Sequence, residues 1–133
     1  MNNTASHSDR ISLSLPVNAA YVSAARLTAS SIANRMGFSI DEIEDIKTGV
    51  SEACTYIIKK LSSDPENNFQ IQFQMKRDVM EILIQSNGIL SDGEENDMSL
   101  IMIKALMDEL KVGAYDEEIS MTMTKIHKGT LFE

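Results

Sequence analysis

The stretch that decides the fold is SIDEIEDIKTGVSEACTYIIKKL, residues 39–61. Its apolar residues recur every three or four positions, which is the spacing of one buried helix face. They are Ile43, Ile46, Val50, Ala53, Ile57 and Leu61. Ser39 and Glu42 form a capping-box pair, which predicts that a helix begins here. Gly49 costs such a helix about 1 kcal/mol relative to alanine. We therefore expect something to approach the helix closely at that position.

Beside the buried stripe runs a row of polar side chains. It consists of Asp45, Thr48, Glu52 and Thr55, with Tyr56 one turn beyond Glu52. The function of the protein depends largely on what this row is for.

Length and composition predict one globular domain. The chain has 133 residues, of which 43% are hydrophobic and 24% charged. We expect residues 1–9 to form a flexible N-terminus and residues 10–133 a single domain. No run approaches the roughly 20 apolar residues that cross a bilayer, and the N-terminus has no hydrophobic signal core. The sequence therefore predicts a cytoplasmic protein, in which the single cysteine, Cys54, is a buried and inert thiol.

Charge and residue types exclude several classes of function. The net charge of −8 and the absence of tryptophan argue against a nucleic-acid partner. The two histidines, His7 and His127, have no cysteine or histidine at metal-ligand spacing. The acidic run at residues 92–97 lacks the ligand register of a calcium loop. We expect no metal site.

The remaining pattern predicts an α+β fold. Alternating or continuous apolar runs indicate strands, and apolar residues at helical spacing indicate two further helices, the first closed by Gly37. The predicted strands are 10–15, 69–75, 79–85, 112–115 and 119–124, the predicted helices are 18–36, 39–61 and 98–111, and 86–96 is a predicted loop. The order βααββαββ predicts a two-layer α/β sandwich whose mixed or antiparallel sheet is covered on one face by three helices.

Three blocks of sequence resemble a known family. They are AARLTASSIANRMGFSIDEIEDIKTGVSEACT at residues 24–55, LMDEL at 106–110 and MTMTK at 121–125. They are similar to the anti-sigma-factor serine/threonine-protein kinases of bacteria, which are small members of the GHKL (Bergerat-fold) ATPase superfamily. The resemblance implies a protein that binds a sigma factor, keeps it from RNA polymerase and phosphorylates a serine on an antagonist protein.

The resemblance places Glu52 at the family's catalytic position. There a glutamate acts as general base or positions water, and an asparagine four residues later holds Mg²⁺. In this chain the asparagine position is Tyr56. A phenol cannot replace the amide oxygen as a Mg²⁺ ligand in that geometry, and its bulk would lie where metal and phosphates belong.

The family's glycine-rich nucleotide motifs are also altered. In the Asp-x-Gly-x-Gly loop that binds adenine, Ser86 replaces the aspartate and only the first glycine, Gly88, remains. The Gly-x-Gly turn that lets backbone N–H groups approach the phosphates reads Asp97-Met98-Ser99. Glu118 occupies a further glycine position. We therefore expect no cofactor, with ATP and Mg²⁺ bound weakly or not at all.

The partner-binding half of the resemblance is retained. Arg26 matches an arginine on the family's first helix that contacts both the sigma factor and the antagonist. The family dimerises through surfaces near its N-terminal strand and first helix, so the resemblance is consistent with a homodimer. No membrane partner is expected.

Three hypotheses follow. The leading one is an anti-sigma-factor-like regulator that acts by protein–protein binding in partner switching, without kinase activity. The alternative is an active serine/threonine-protein kinase with a rebuilt ATP site. The third is a structural or regulatory dimer without a sigma-factor partner, whose former pocket is filled by Tyr56, Leu90 and Met98.

Overall fold

A computed structural model of the chain describes residues 9–61, 66–87, 97–115 and 118–128. Its strands are β1 (Asp9–Pro16), β2 (Asn68–Lys76), β3 (Val79–Asn87), β4 (Glu109–Tyr115) and β5 (Glu118–Ile126). Its helices are α1 (Val22–Met36), α2 (Ile40–Lys60) and α3 (Met98–Leu106), with a 3₁₀ turn at Ala19–Tyr21 before α1. This order confirms the predicted one. Residues 1–8 of the predicted flexible N-terminus lie outside the described residues, and Asp9 already belongs to β1.

The five strands form one antiparallel sheet in the order β1-β2-β3-β5-β4, with β3 at its centre. Alternation along the strands buries one face, because successive side chains point to opposite sides. The fully buried side chains of that face include Ile71, Phe73, Met80, Ile82, Ile84, Met121 and Met123. The other face carries polar side chains such as Gln70, Gln72 and Gln74. The helices cover the buried face, as predicted.

The predicted capping box begins α2. Ser39 Oγ accepts a hydrogen bond from the Glu42 N–H at 3.1 Å, and Glu42 Oε1 accepts one from the Ser39 N–H at 2.8 Å. Glu42 also contacts the end of the described chain, where His127 Nδ1 lies 2.9 Å from Oε1 and the Lys128 N–H donates to Oε2 at 3.0 Å. Burial alone would raise the pKa of Glu42, but these hydrogen bonds lower it to about 2.

α2 is the central helix, in contact with both α1 and α3. Its buried face carries four fully buried residues, which are Ile46, Val50, Ala53 and Ile57. A Cβ on Gly49 would lie 3.1 Å from Met107 Sδ, closer than ordinary van der Waals contact. The close approach expected at this glycine is therefore confirmed, and the approaching residue is the one that follows α3.

Several boundaries differ from the prediction. α1 begins at Val22 and not at residue 18, because Ala19–Tyr21 form a 3₁₀ turn. Two further differences reflect strand pairing. α3 ends at Leu106 and not at Lys111, because the residues from Glu109 onward pair with β5 as strand β4. Leu110 lies opposite Met123 and packs against the core, so strand pairing outweighs the helical spacing of the leucines. The predicted loop from residue 86 is also wrong at its start, since Ser86 and Asn87 still belong to β3 and pair with β5.

None of the helices in these described ranges is both long and apolar enough to cross a membrane.

Candidate functional site

One side of the C-terminal half of α2 faces the start of α3. Glu52, Tyr56 and Lys59 are spaced at i, i+4 and i+7, so they share one side of the helix. Opposite them lie Asp97, which caps α3, and Ser99 in its first turn. The structure therefore brings together four of the positions singled out in the sequence, together with Lys59. We call this set of five residues the α2–α3 contact.

Glu52 is held by a side chain of α3. Ser99 Oγ donates a hydrogen bond to Glu52 Oε1 at 2.9 Å, and Ser99 is only 5% exposed. The Ser99 hydroxyl therefore occupies one oxygen of the Glu52 carboxylate. This is the carboxylate that would have to accept a proton or position water if Glu52 were a catalytic base.

Asp97 makes two contacts with its carboxylate. Oδ1 accepts a hydrogen bond from the Ser99 N–H at 2.8 Å, and Oδ2 lies 3.2 Å from Lys59 Nζ. The Asp97 side chain is 12% exposed. Burial alone would raise the pKa of Asp97, but the Ser99 N–H and the Lys59 ammonium outweigh this cost and lower the pKa. The carboxylate is therefore ionised at neutral pH.

Tyr56 fills the space beside this pair. Its residue is 7% exposed, and Lys60 Nζ lies 5.3 Å from the ring centroid, within the range of a cation–π interaction. Burial raises the pKa of Tyr56, the Asp97 carboxylate raises it further, and the Lys59 ammonium lowers it in part. The phenol is therefore neutral near pH 7 and is a poor Mg²⁺ ligand.

Comparison with known proteins identifies the family. Residues 15–125 match the family model described as the histidine kinase-like ATPase domain. The chain belongs to this family. Among its relatives is the serine-protein kinase RsbW of Bacillus cereus (strain Q1), which is 33% identical over 88% of this chain and 84% of its own length. The serine-protein kinase RsbW of Bacillus thuringiensis (strain Al Hakam) is 32% identical over the same shares.

A solved structure supports the fold. The crystal structure of the RsbU and RsbW domains of Rv1364c from Mycobacterium tuberculosis superposes with a TM-score of 0.72 at 14% identity. The match covers 89% of this chain and 32% of that chain. The predicted two-layer GHKL-type fold is therefore confirmed.

The other positions that the resemblance assigns to nucleotide binding lie apart from the α2–α3 contact. Ser86 is 6% exposed, and its Oγ donates to the Asn68 carbonyl oxygen at 3.0 Å, so the hydroxyl is bound to the neighbouring strand. Glu118 is exposed at the start of β5, opposite Asn87. Gly88 and Leu90 lie outside the described residues.

Arg26 lies on α1, away from these positions, and is half-buried. Within residues 9–61, 66–87, 97–115 and 118–128, its guanidinium makes no hydrogen bond or ion pair. The neighbouring Leu27 is 64% exposed and Tyr21 47% exposed. Arginine and tyrosine are both enriched among the residues that dominate the energetics of protein interfaces. The role of Arg26 nevertheless stays a prediction.

Cys54 is fully buried, which confirms the predicted burial, and this burial raises the pKa of its thiol to about 12. Among the residues that the structure describes, no group of three or more histidine, cysteine, aspartate or glutamate side chains could hold a metal ion.

Sequence reasoning missed Lys59 and Lys60. Lys59 lies two turns beyond Glu52, so helical spacing alone places it in the polar row. Its pairing with Asp97 joins residues 38 positions apart, and only the packing of α3 on α2 reveals it.

Proposed function

We propose that this protein is an anti-sigma-factor-like regulator of bacterial transcription, which acts in partner switching by binding proteins and does not use ATP. The observation that carries the proposal is the α2–α3 contact, where the buried Tyr56 ring and the Asp97 carboxylate lie at the positions that the resemblance assigns to Mg²⁺ and phosphates. The similarity to relatives that are named serine-protein kinases supports a function of the kind found in this family.

Mg-ATP does not fit these residues. Tyr56 offers a neutral phenol where Mg²⁺ requires an amide or carboxylate oxygen. Asp97 presents a carboxylate where phosphate charge would lie. Two like unit charges 4 Å apart repel by about 4 kcal/mol at an effective dielectric constant of 20, and the ion pair with Lys59 offsets part of this repulsion. Either change alone weakens nucleotide binding, and here they occur together.

The contact with Ser99 also weighs against phosphoryl transfer at Glu52. A working base must be able to accept a proton from the reacting group, and in this structure one of the two Glu52 oxygens, Oε1, already accepts the Ser99 hydroxyl. We infer that Glu52 now serves to join α2 to α3.

The proposed partners are a sigma factor and its antagonist protein, and Arg26 on α1 is the proposed contact. Arginine is enriched among the few residues that dominate interface energies, and the exposed Leu27 supplies apolar area next to it.

We further propose a homodimer. A groove of about 430 Å³ lies between the edge strand β1 and the end of α1, lined in part by Ile11, Ile32, Met36 and Met75. Ile11 is 39% exposed, and β1 pairs only with β2 within the described sheet, so its outer edge can accept another chain.

The test is binding of purified sigma factors from the source organism, with and without Mg-ATP. We expect at least one to bind, with the same affinity in both buffers. The RsbW of Bacillus cereus provides the comparison protein. Binding that requires Mg-ATP, or no binding to any sigma factor, would overturn the proposal.

The retained Glu52 supports a second candidate, an active serine/threonine-protein kinase. This function predicts transfer of labelled phosphate from ATP to a serine of the antagonist, and loss of transfer in Glu52→Ala. We expect no transfer by the wild-type protein.

A further inference from the structure

Helix α3 carries apolar side chains on the face that it turns to solvent. Met98, Ile101 and Met102 are 68%, 50% and 37% exposed. Together with the exposed Ala105 they follow the spacing i, i+3, i+4 and i+7, which places all four side chains on one side of a helix. We call these four residues the outer stripe of α3. Met98 therefore does not fill the former pocket, as the third hypothesis expected.

The inner side of α3 is apolar as well. Ile103 is fully buried, and Met107, just after the helix, lies against Gly49 of α2. A helix that is apolar on both sides is normally covered on both sides. The residues that the structure describes cover the inner side of α3 and leave the outer stripe exposed. The composition of the helix thus indicates that a further element covers it.

The neighbouring edge of the sheet adds apolar surface. β4 contacts α3 and is the last strand of the sheet. Val112 of β4 lies opposite the buried Met121, so its side chain is on the side of the sheet that the helices cover, and yet it is 42% exposed. Apolar surface that is grouped on one helix and the adjoining strand marks a site for another protein, whereas single exposed residues do not.

The charges beside the outer stripe select the kind of partner. Lys104, three residues after Ile101, is exposed and makes no ion pair with the residues that the structure describes. The other described charges of residues 97–115 are paired: Asp97 with Lys59 at 3.2 Å, Asp108 with Lys128 at 2.6 Å, and Glu109 with Lys111 at 3.9 Å. The unpaired charge is therefore positive, on a chain whose net charge is −8. Carboxylates beside the apolar residues of a partner are complementary to it.

We propose that the outer stripe of α3 is a docking surface for an amphipathic helix of a partner protein, in which carboxylates flank the apolar residues. Anchors at i, i+3, i+4 and i+7 are the pattern by which one helix packs on another protein, and the flexible methionine side chains adapt to the partner. A second copy of this chain is a poorer match, because it carries the same net charge of −8 and would bring a second Lys104 to the same surface. The surface lies on a different helix from Arg26, so the inference goes beyond the proposed function and does not depend on it.

The test is a fluorescence-anisotropy titration of the full chain with two labelled peptides of about 20 residues, long enough to form a helix in water. Both repeat leucine at the spacing of the outer stripe. The glutamate peptide has glutamate beside the leucines, and the lysine peptide has lysine at the same positions. At about 0.15 M ionic strength charges interact over only about 8 Å, so Lys104 and not the distant net charge decides the preference. We expect the glutamate peptide to bind about tenfold more tightly than the lysine peptide.

Three variants assign the binding to the outer stripe. Ile101→Ser removes an apolar anchor and should weaken binding of the glutamate peptide about tenfold. The matched control is Leu27→Ser, which removes an exposed apolar side chain from α1 and should leave the affinity unchanged. Lys104→Glu should reverse the preference between the two peptides. Circular dichroism checks that each variant is folded, and Met98→Ser, at the most exposed position of the stripe, replaces Ile101→Ser if that variant does not fold.

Four results would overturn the proposal: no binding of the glutamate peptide at millimolar concentration, equal affinity for both peptides, equal effects of Ile101→Ser and Leu27→Ser, or self-association of the chain that Ile101→Ser abolishes. The last result, measured by analytical ultracentrifugation without peptide, would identify a second copy as the occupant. No sigma factor enters this test. Failure of sigma-factor binding would overturn the proposed function, and the peptide titration would still decide the role of the outer stripe.

Discussion

Replacing Tyr56 tests whether its ring is a packed part of the structure. The residue is 7% exposed, and truncation of a buried aromatic side chain to alanine costs about 3–5 kcal/mol in the free energy of unfolding. Loss of the contact with Lys60, which lies 5.3 Å from the ring centroid, is part of that cost. We therefore expect Tyr56→Ala to lower the unfolding free energy by about 3–5 kcal/mol, measured by urea denaturation followed by circular dichroism.

Tyr56→Phe is the matched control. The Tyr56 hydroxyl makes no hydrogen bond with the residues that the structure describes, so its removal should change the unfolding free energy by no more than about 0.5 kcal/mol. A cost below about 1 kcal/mol for Tyr56→Ala would refute the reasoning, because the ring would then not be packed in the core. An equal loss of unfolding free energy in Tyr56→Ala and Tyr56→Phe would assign the stabilisation to the hydroxyl and not to the packed ring, and would also refute the reasoning.

Three further predictions concern other parts of the chain. Arg26→Glu should weaken binding of a sigma-factor partner by about 1–3 kcal/mol in a calorimetric titration. The control, Lys111→Glu, reverses an exposed charge on β4 and should leave the affinity unchanged. If Arg26→Glu binds the partner as tightly as wild type, Arg26 is not part of the interface. The Glu42 carboxylate, whose pKa falls from 4.5 to about 2 on folding, should contribute about 1–3 kcal/mol above pH 4.5 and lose this contribution as the pH falls through 2. Acid titration of stability should therefore show that Glu42→Gln is less stable than wild type at pH 7 and equally stable below pH 2; a constant difference would contradict the assignment. Gly49→Ile should destabilise the fold by about 1–3 kcal/mol in urea denaturation, because its side chain would displace Met107; an unchanged midpoint would show that α3 moves freely.

Much of the fold could be predicted because its signals are local. Ser39 and Glu42 mark the start of α2 within four residues, and alternation marks the strands that bury Phe73 and Ile82. The end of α3 could not be predicted in this way. Leu106 and Leu110 suit a helix by spacing, and only the pairing of Leu110 with Met123 places the second leucine in a strand.

Most residues of the candidate site could be predicted from the sequence, but the contacts between them could not. The resemblance selected three positions of a nucleotide site. Glu52 matches the family there, whereas Tyr56 and Asp97 depart from it. The resemblance did not reveal that Ser99 binds Glu52 or that Lys59 pairs with Asp97, since these contacts depend on how α3 packs on α2. Gly49 shows the same limit: the glycine predicted a close approach without naming the approaching residue.

The central claim is that the contact between α2 and α3 takes no nucleotide, and a thermal shift with and without Mg-ATP and Mg-ADP tests it most directly. A ligand at 100 times its dissociation constant stabilises a protein by about 2.7 kcal/mol, which raises the melting temperature by several degrees. The RsbW of Bacillus cereus, measured in parallel, is the comparison protein. We predict no shift for this protein at millimolar nucleotide. A rise of several degrees that saturates in the micromolar range would contradict the account.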